Sequence, residues 1–289
     1  MTTAEERTRG MGLLGAAFGL GFIVGPAAGG ILASFHLSWP SWIASVLCIV
    51  NLVCIVKFLP ESRKMTRSGT NSSFLPDMGT LKEMVRSPKL SAALVLRLGH
   101  MIAFTTFEIW FGYFTSDMLG LSARESSYLL TLYGVVYSLV QATAIRTLVN
   151  RFQETYLLAV VLHLLGISYS IAYFCNSTFS FSLILIPLGV FSGVSNTLIS
   201  SLVSKQVSPE RVGGALGVSA SLGSFSRIIG PTMTSYMTQS FSISSPPLVC
   251  ASICFALIFC QSVIRTSTDS SNCQPLQANT TSTQKENVQ

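Results

Sequence analysis

Residues 10–30 read GMGLLGAAFGLGFIVGPAAGG and hold eight of the chain's 22 glycines in one apolar segment. Glycine is about 1 kcal/mol worse than alanine inside a helix in water, so a soluble core selects against such a stretch. Between lipid-embedded helices the same composition is useful, because small side chains let backbones approach closely. At about 100° per residue, Gly12, Gly15, Gly19, Gly21, Gly25, Gly29 and Gly30 fall within roughly one half of the helical wheel. The segment predicts a membrane helix with one nearly bare packing face. Pro26 lies inside it and removes a backbone donor, which predicts a local bend near Phe22.

The rest of the 289 residues shares this character. Of them 49% are hydrophobic, 10% are charged, and the mean hydropathy is +0.55; soluble domains carry roughly 25% charged residues. Eight apolar runs have spanning length, given that about 20 residues cross the hydrocarbon. They are 11–35, 39–58, 90–114, 126–149, 154–174, 181–203, 212–238 and 245–265. The first ten residues are polar and charged, unlike a cleavable signal peptide. The net charge of +6 marks topology and not a nucleic-acid partner. With both termini cytoplasmic, 15 of the 18 Lys and Arg residues lie inside, Arg124 alone lies outside, and Arg97 and Arg227 remain within spans. A multi-pass protein of the lipid bilayer is expected.

An offset of 205 brings Glu5 onto Glu210, Gly12 onto Gly217, Gly25 onto Gly230 and Pro26 onto Pro231. Gly15 then falls on Ala220 and Gly19 on Ser224, so small residues replace small residues. The first and seventh spans are thus copies, and one repeat is six helices, as in transporters built from parallel halves. The expected organisation is the two-helix end of a first half at 1–60, a cytoplasmic linker at 61–89, a complete six-helix half at 90–265, and a disordered cytoplasmic tail at 266–289. The linker contains Pro76 and Pro88 with a Ser/Thr/Gly-rich middle, and the tail is Ser/Thr/Asn/Gln-rich without an apolar period.

Four stretches together resemble the major facilitator superfamily, and in particular its drug:proton antiporter branch with tetracycline-exporter-like members. Gly25, Pro26, Gly29 and Gly30 are similar to the G-P-x-x-G-G ending of that branch's fifth helix. Phe58 to Ser62 resemble the P-E-S ending after the sixth. Val140, Gln141, Arg151 and Phe152 resemble the end of the eighth helix and its turn, and Ser224, Arg227, Gly230 and Pro231 resemble the eleventh. The resemblance implies an all-α, major-facilitator-type bundle of about eight transmembrane helices: the last two of the N-terminal half and all six of the C-terminal half. Counting back, the family's first four helices are expected to be lacking, together with the loop between helices two and three that carries its Gly/Asp/Arg motif. The matching loop here, Ile145 to Phe152, keeps arginines but has Asn150 and no acidic residue. The resemblance also assigns the Gly15–Gly30 helix to packing across the two halves; dimerisation is its other reading.

An ionisable residue within a bilayer costs several kcal/mol unless it meets water or a partner, so each is a candidate site residue. Arg227 lies one turn before Gly230 and Pro231, where it either meets an anionic group or only ties helices together. Arg97, His100 and Glu108 share the third span; 97 and 108 return to nearly one face, with Phe104 close to that stripe. They either line a substrate or proton pathway or sit within reach of the interfaces. Gln141, Asn196 and Asn51 are amides open to either use, and His163 reads as a packing histidine. The helix-packing set is Gly15, Gly19, Gly21, Gly25, Pro26, Gly29, Gly30, Gly230 and Pro231. Seven cysteines read as small apolar side chains. No phosphate-binding loop, catalytic constellation or metal cluster is present, so neither an enzyme nor a cofactor is expected. The leading expectation is a secondary active transporter of a small organic solute, coupled to protons, by alternating access. The rival is a truncated, non-transporting form that interacts with a full-length copy or another membrane protein.

Overall fold

The computed structural model describes residues 4–58, 87–144, 148–149, 151–207 and 212–272, the side chains of 4–18, 144, 212–213 and 262–272 excepted. Among the described residues there are eight helices and no strand: α1 (Ala4–Phe35), α2 (Trp39–Phe58), α3 (Pro88–Tyr113), α4 (Ala123–Leu139), α5 (Glu154–Ala172), α6 (Thr178–Lys205), α7 (Val212–Ser240) and α8 (Pro246–Asn272). π-Helical turns at Phe114–Met118 and Val140–Ala144 continue α3 and α4. Most of the 61–89 linker, most of the 145–150 turn and the chain beyond 272 lie outside the described residues. The last helix runs past the expected end at 265, since a polar helical extension needs no apolar period.

Local chemistry sets the helix starts. Pro88 opens α3, where its missing N–H costs nothing. Ser122 and Glu125 form a capping box at α4: the Glu125 carboxylate accepts from the Ser122 N–H at 2.9 Å, and Ser122 Oγ accepts from the Glu125 N–H at 3.3 Å. Donation to the carboxylate by the Ser122 hydroxyl at 2.7 Å and by the Ser122 N–H holds the exposed Glu125 carboxyl below the usual carboxylate range. Ser177 and Ser180 repeat the device at α6. Between α3 and α4, Gly120 has φ +62°, a conformation that favours glycine.

Trp39–Phe58, Pro88–Met118, Glu154–Ala172 and Thr178–Lys205 are long and apolar enough to cross a membrane. The described apolar stretches Gly19–Phe35 and Pro246–Gln261 are shorter. Two of the eight expected spans, α4 and α7, meet neither description, for visible reasons. α4 is 17 residues with Arg124 and Glu125 in its first turn, and α7 is rich in Ser, Thr and Gly.

α3 is the central helix of α3–α8, packed against α6, α7 and α8. Two clusters form the core. One is aromatic, with Phe107, Trp110, Phe114, Tyr133, Tyr169 and Phe181 buried together; Trp110 Nε1 donates to the Ile243 carbonyl at 2.6 Å, which satisfies the indole. The other is aliphatic, with Leu96, Leu158, Leu162, Leu198 and Val203. Cys250 and Cys254 are buried in the first cluster, as expected of small apolar side chains. At the far end of the bundle Lys205 pairs with Glu154 at 2.6 Å.

α1 packs against α4, and α2 touches α1 without burying a residue. The α1–α4 seam is built from small residues. Ser138 Oγ donates to the Gly19 carbonyl at 3.2 Å. A Cβ at Gly134 would collide with the Phe22 carbonyl, and one at Gly30 with Ser127. Gly21, Gly25 and Gly29 behave differently: a Cβ there meets nothing within 4 Å. The repeat explains the division. At the 205 offset these three become Ser226, Gly230 and Thr234, the face by which α7 packs on α3. There Thr105 Oγ1 donates to the Ser226 carbonyl at 3.1 Å, and Thr234 Oγ1 to the Thr106 carbonyl at 3.2 Å. A Cβ at Gly230 would lie 2.5 Å from Thr105 Oγ1. Conversely Gly19, Phe22 and Gly30 become Ser224, Arg227 and Ser235, and both Ser224 and Arg227 are exposed. The two copies share one residue plan and bury opposite faces of it.

Gly134→Leu is expected to lower the melting temperature of the detergent-solubilised protein, with an overpacking cost of about 1–3 kcal/mol. Gly112→Ala, where a Cβ meets nothing within 4 Å, is the matched control and should leave melting unchanged or slightly raised. Equal melting of the two variants would remove the seam as a stabilising contact.

Candidate functional site

Three of the candidate residues lie along α3, and the helix sorts them by angle. Arg97 and Glu108 return to one face after three turns, with Phe104 between them, whereas His100 is rotated toward α6. Arg97 is half-buried, and its Nη1 donates to Asn196 Oδ1 at 2.6 Å and Ser200 Oγ at 3.3 Å on α6. Its Nε is buried without a partner. His100 is 2% exposed, and its Nε2 lies 2.7 Å from Ser195 Oγ. Ser195 spends its own proton on the Ser192 carbonyl at 3.1 Å, so the imidazole donates from Nε2. That leaves Nδ1 buried and unpartnered. His100 is therefore part of the α3–α6 interface.

Glu108 is exposed on α3, and Arg227, exposed on α7, is the charged group that its carboxylate senses. Among the described residues Arg227 makes no direct hydrogen bond. Asn196 has the α6 position facing Arg97, and Gln141 occupies the π-helical turn Val140–Ala144 at the end of α4. That turn approaches α6 at Gly193, where a Cβ would stand 3.0 Å from the Tyr137 carbonyl and 3.7 Å from Gln141 Cγ. Isolated π turns are frequent at functional positions because they re-aim the side chains of a helix.

Tyr137 joins the two ends of the α3 stripe. It neighbours the Gln141 and Asn196 amides and lies within electrostatic reach of both Arg97 and Glu108. Its ring stacks on Phe22 of α1 with centroids 5.5 Å apart, and on Tyr133 at 6.0 Å; Phe104 lies at 6.2 Å. Sequence reasoning missed Tyr137, although its spacing of four from both Tyr133 and Gln141 is a legible helical stripe. It missed Ser200 because nothing local distinguishes one helical serine from another. Asn51 is exposed on α2, and His163 is exposed on α5, where its Nδ1 lies 3.0 Å from the Ala159 carbonyl and its ring meets Phe255 edge-on with centroids 6.3 Å apart. Gly15 lies in the part of α1 described as backbone only. Pro26 and Pro231 lie inside α1 and α7 without ending them. Among the described residues no group of three or more His, Cys, Asp or Glu could hold a metal.

The arrangement is a polar stripe on α3, faced by α4, α6 and α7, with the Arg97 guanidinium at one end and the Glu108 carboxylate, within electrostatic reach of Arg227, at the other. A sequence profile described as Major Facilitator Superfamily matches residues 1–122 and 98–285. The chain is 28% identical over 254 residues to human "Solute carrier family 67 member A1", covering 84% of this chain and 59% of that protein. It is 27% identical over 233 residues to the class C tetracycline resistance protein of Escherichia coli, covering 80% and 58%. The crystal structure of the human organic anion transporter MFSD10 superposes with a TM-score of 0.70 at 20% identity, covering 90% of this chain and 65% of that one. The chain spans about three-fifths of the length of the curated relatives it matches.

Asn196→Leu is expected to destabilise the protein by about 1.5–3 kcal/mol, the usual worth of a hydrogen bond to a charged group. Arg97→Met combined with Asn196→Leu should recover part of that loss, because no charge is then left without its partner. Strictly additive losses in a double-mutant cycle, read by thermal unfolding in detergent, would show that Arg97 and Asn196 do not interact.

Proposed function

The chain belongs to the major facilitator superfamily, a family of multi-pass membrane transporters, and on that premise we propose that it moves a small organic solute by alternating access, coupled to protons. The observation that carries this reading is that Glu108 on α3 and Arg227 on α7, both exposed, lie within electrostatic reach of each other. A carboxylate and a guanidinium within a bilayer are costly unless they serve a pathway. Glu108 is the proton carrier. With its carboxylate ionised Glu108 attracts Arg227; with a proton on Glu108 that attraction is lost, and the preferred approach of α7 to α3 changes. The groups that face Glu108 are Arg227 from α7 and Tyr133 and Tyr137 from α4. His100, buried against Ser195, is assigned to packing, while Arg97, Gln141 and Asn196 line the solute path.

The α1–α4 seam supplies the close helix contact around which such a site rocks, and its lack of bulky side chains limits leakage. The excess of basic residues on one side supports cytoplasmic termini, with Arg124 and the Gly120 turn on the opposite side. No nucleic-acid partner and no cofactor enter this scheme.

Proteoliposomes containing the chain test it with two permanently charged naphthalene probes, 2-naphthalenesulfonate and (2-naphthylmethyl)trimethylammonium. An imposed proton gradient is expected to drive net flux of one of them. Glu108→Gln should lose the response to the gradient while keeping exchange of the probe across the membrane, and Arg227→Ala should lower flux at least tenfold without changing melting. Gradient-driven flux through Glu108→Gln at the wild-type level would exclude Glu108 as the carrier.

A further inference from the structure

The charges on the α3 stripe do not balance, and the imbalance is local. Among the described residues the membrane-facing length of the helices holds two guanidiniums, Arg97 and Arg227, and one carboxylate, Glu108. The other acids whose side chains are described stand at helix ends: Asp117 in the turn after α3, Glu125 in the α4 capping box, and Glu154 paired with Lys205. Glu108 lies within electrostatic reach of Arg227, without an ion pair closer than 4 Å between them. It lies eleven residues from Arg97, about 16 Å along the helix at roughly 1.5 Å per residue, and so does not neutralise it.

Arg97 is nevertheless held in place. Asn196 and Ser200 both accept from Nη1, which orients the guanidinium plane without cancelling its charge. Nε is buried and unmatched. A guanidinium presents its donors as a rigid fork suited to planar or tetrahedral oxyanions, and two neutral acceptors on one nitrogen leave most of that fork free. Beside it are the Tyr137 hydroxyl and the Gln141 amide, further polar groups able to meet an anion. About two turns further along the same face lies Phe104, its ring centroid 6.2 Å from that of the buried Tyr137, which in turn stacks on Phe22.

We propose that Arg97, oriented by Asn196 and Ser200, anchors the anionic head of an aromatic organic anion whose flat body lies against Phe104 and Tyr137. The ligand supplies the counter-charge that this chain's own residues withhold from Arg97. As a statement about cargo, this rests on the transport reading above; as a statement about binding, it does not.

Binding of the same two naphthalene probes to the purified full chain, followed by thermal shift and titration, tests the site. The sulfonate is expected to raise the melting temperature saturably and the trimethylammonium to leave it unchanged. Arg97→Gln should weaken sulfonate binding at least tenfold, and Arg97→Lys, which keeps the charge and loses the fork, should fall between. Tyr137→Phe, which keeps the ring and removes the hydroxyl, provides a second variant should Arg97→Gln fail to fold. It should weaken the sulfonate severalfold. A trimethylammonium probe that binds as tightly as the sulfonate, or sulfonate affinity unchanged in a folded Arg97→Gln variant, overturns the proposal. Sulfonate binding through Arg97 without any flux upholds this site and removes the transport reading. Flux of the cation alone removes the anion site and leaves transport standing.

Discussion

The contact between Gly134 of α4 and the Phe22 carbonyl of α1 is the constraint on which the rest depends. Helices in lipid gain little from burying apolar surface against one another, since the solvent they leave is equally apolar; their association rests on close packing and on hydrogen bonds. A glycine at 134 lets the two backbones meet, and Ser138 adds a hydrogen bond to Gly19 one turn on. This is the contact that joins α1, and through it α2, to the six-helix unit. It also sets the position of Phe22, whose ring stacks on Tyr137. Tyr137 in turn lies between the charged ends of the α3 stripe, so the seam and the candidate site share a wall.

The six-residue correspondence between α1 and α7 shows how one helix plan can serve two purposes. In α7 the Ser226, Gly230 and Thr234 face is closed by two threonine hydroxyls, Thr105 of α3 donating to the Ser226 carbonyl and Thr234 of α7 to the Thr106 carbonyl. In α1 the equivalent Gly21, Gly25 and Gly29 face is open, and the Gly19, Phe22 and Gly30 face is closed instead. Where α1 places Phe22 against an aromatic ring, α7 places Arg227 on an exposed face. A single wheel position thus carries packing in one copy and charge in the other, which is why Arg227 is not neutralised by the bundle that holds it.

The buried polar atoms of α3 follow the same logic on a smaller scale. Arg97 and His100 are three residues apart, yet one faces the aromatic stripe and the other the α6 interface, because three residues fall short of a full turn. Both are tied to α6, by Asn196 with Ser200 and by Ser195 respectively. The serines of α6 therefore act in register, one turn serving the interface and the next serving the guanidinium.

The sequence by itself determined the helices, the repeat and the family. Apolar run length is a local property, glycine and proline spacing survives in both copies, and neither needs the fold to be read. Arg97, Glu108, Asn196, Gln141 and Arg227 were legible as candidates because charge and amide groups within spans are rare and costly. What only the tertiary structure decided was which face each residue presents and to whom. It separated Gly19 and Gly30 from Gly21 and Gly25, turned His100 toward α6, brought in Ser200, and set Tyr137 between Arg97 and Glu108. The physical reason is that a helix fixes the angle between its own side chains but not the neighbour that fills that angle, and in this chain those neighbours lie about a hundred residues away or more, as Asn196 does from Arg97 and Ile243 from Trp110.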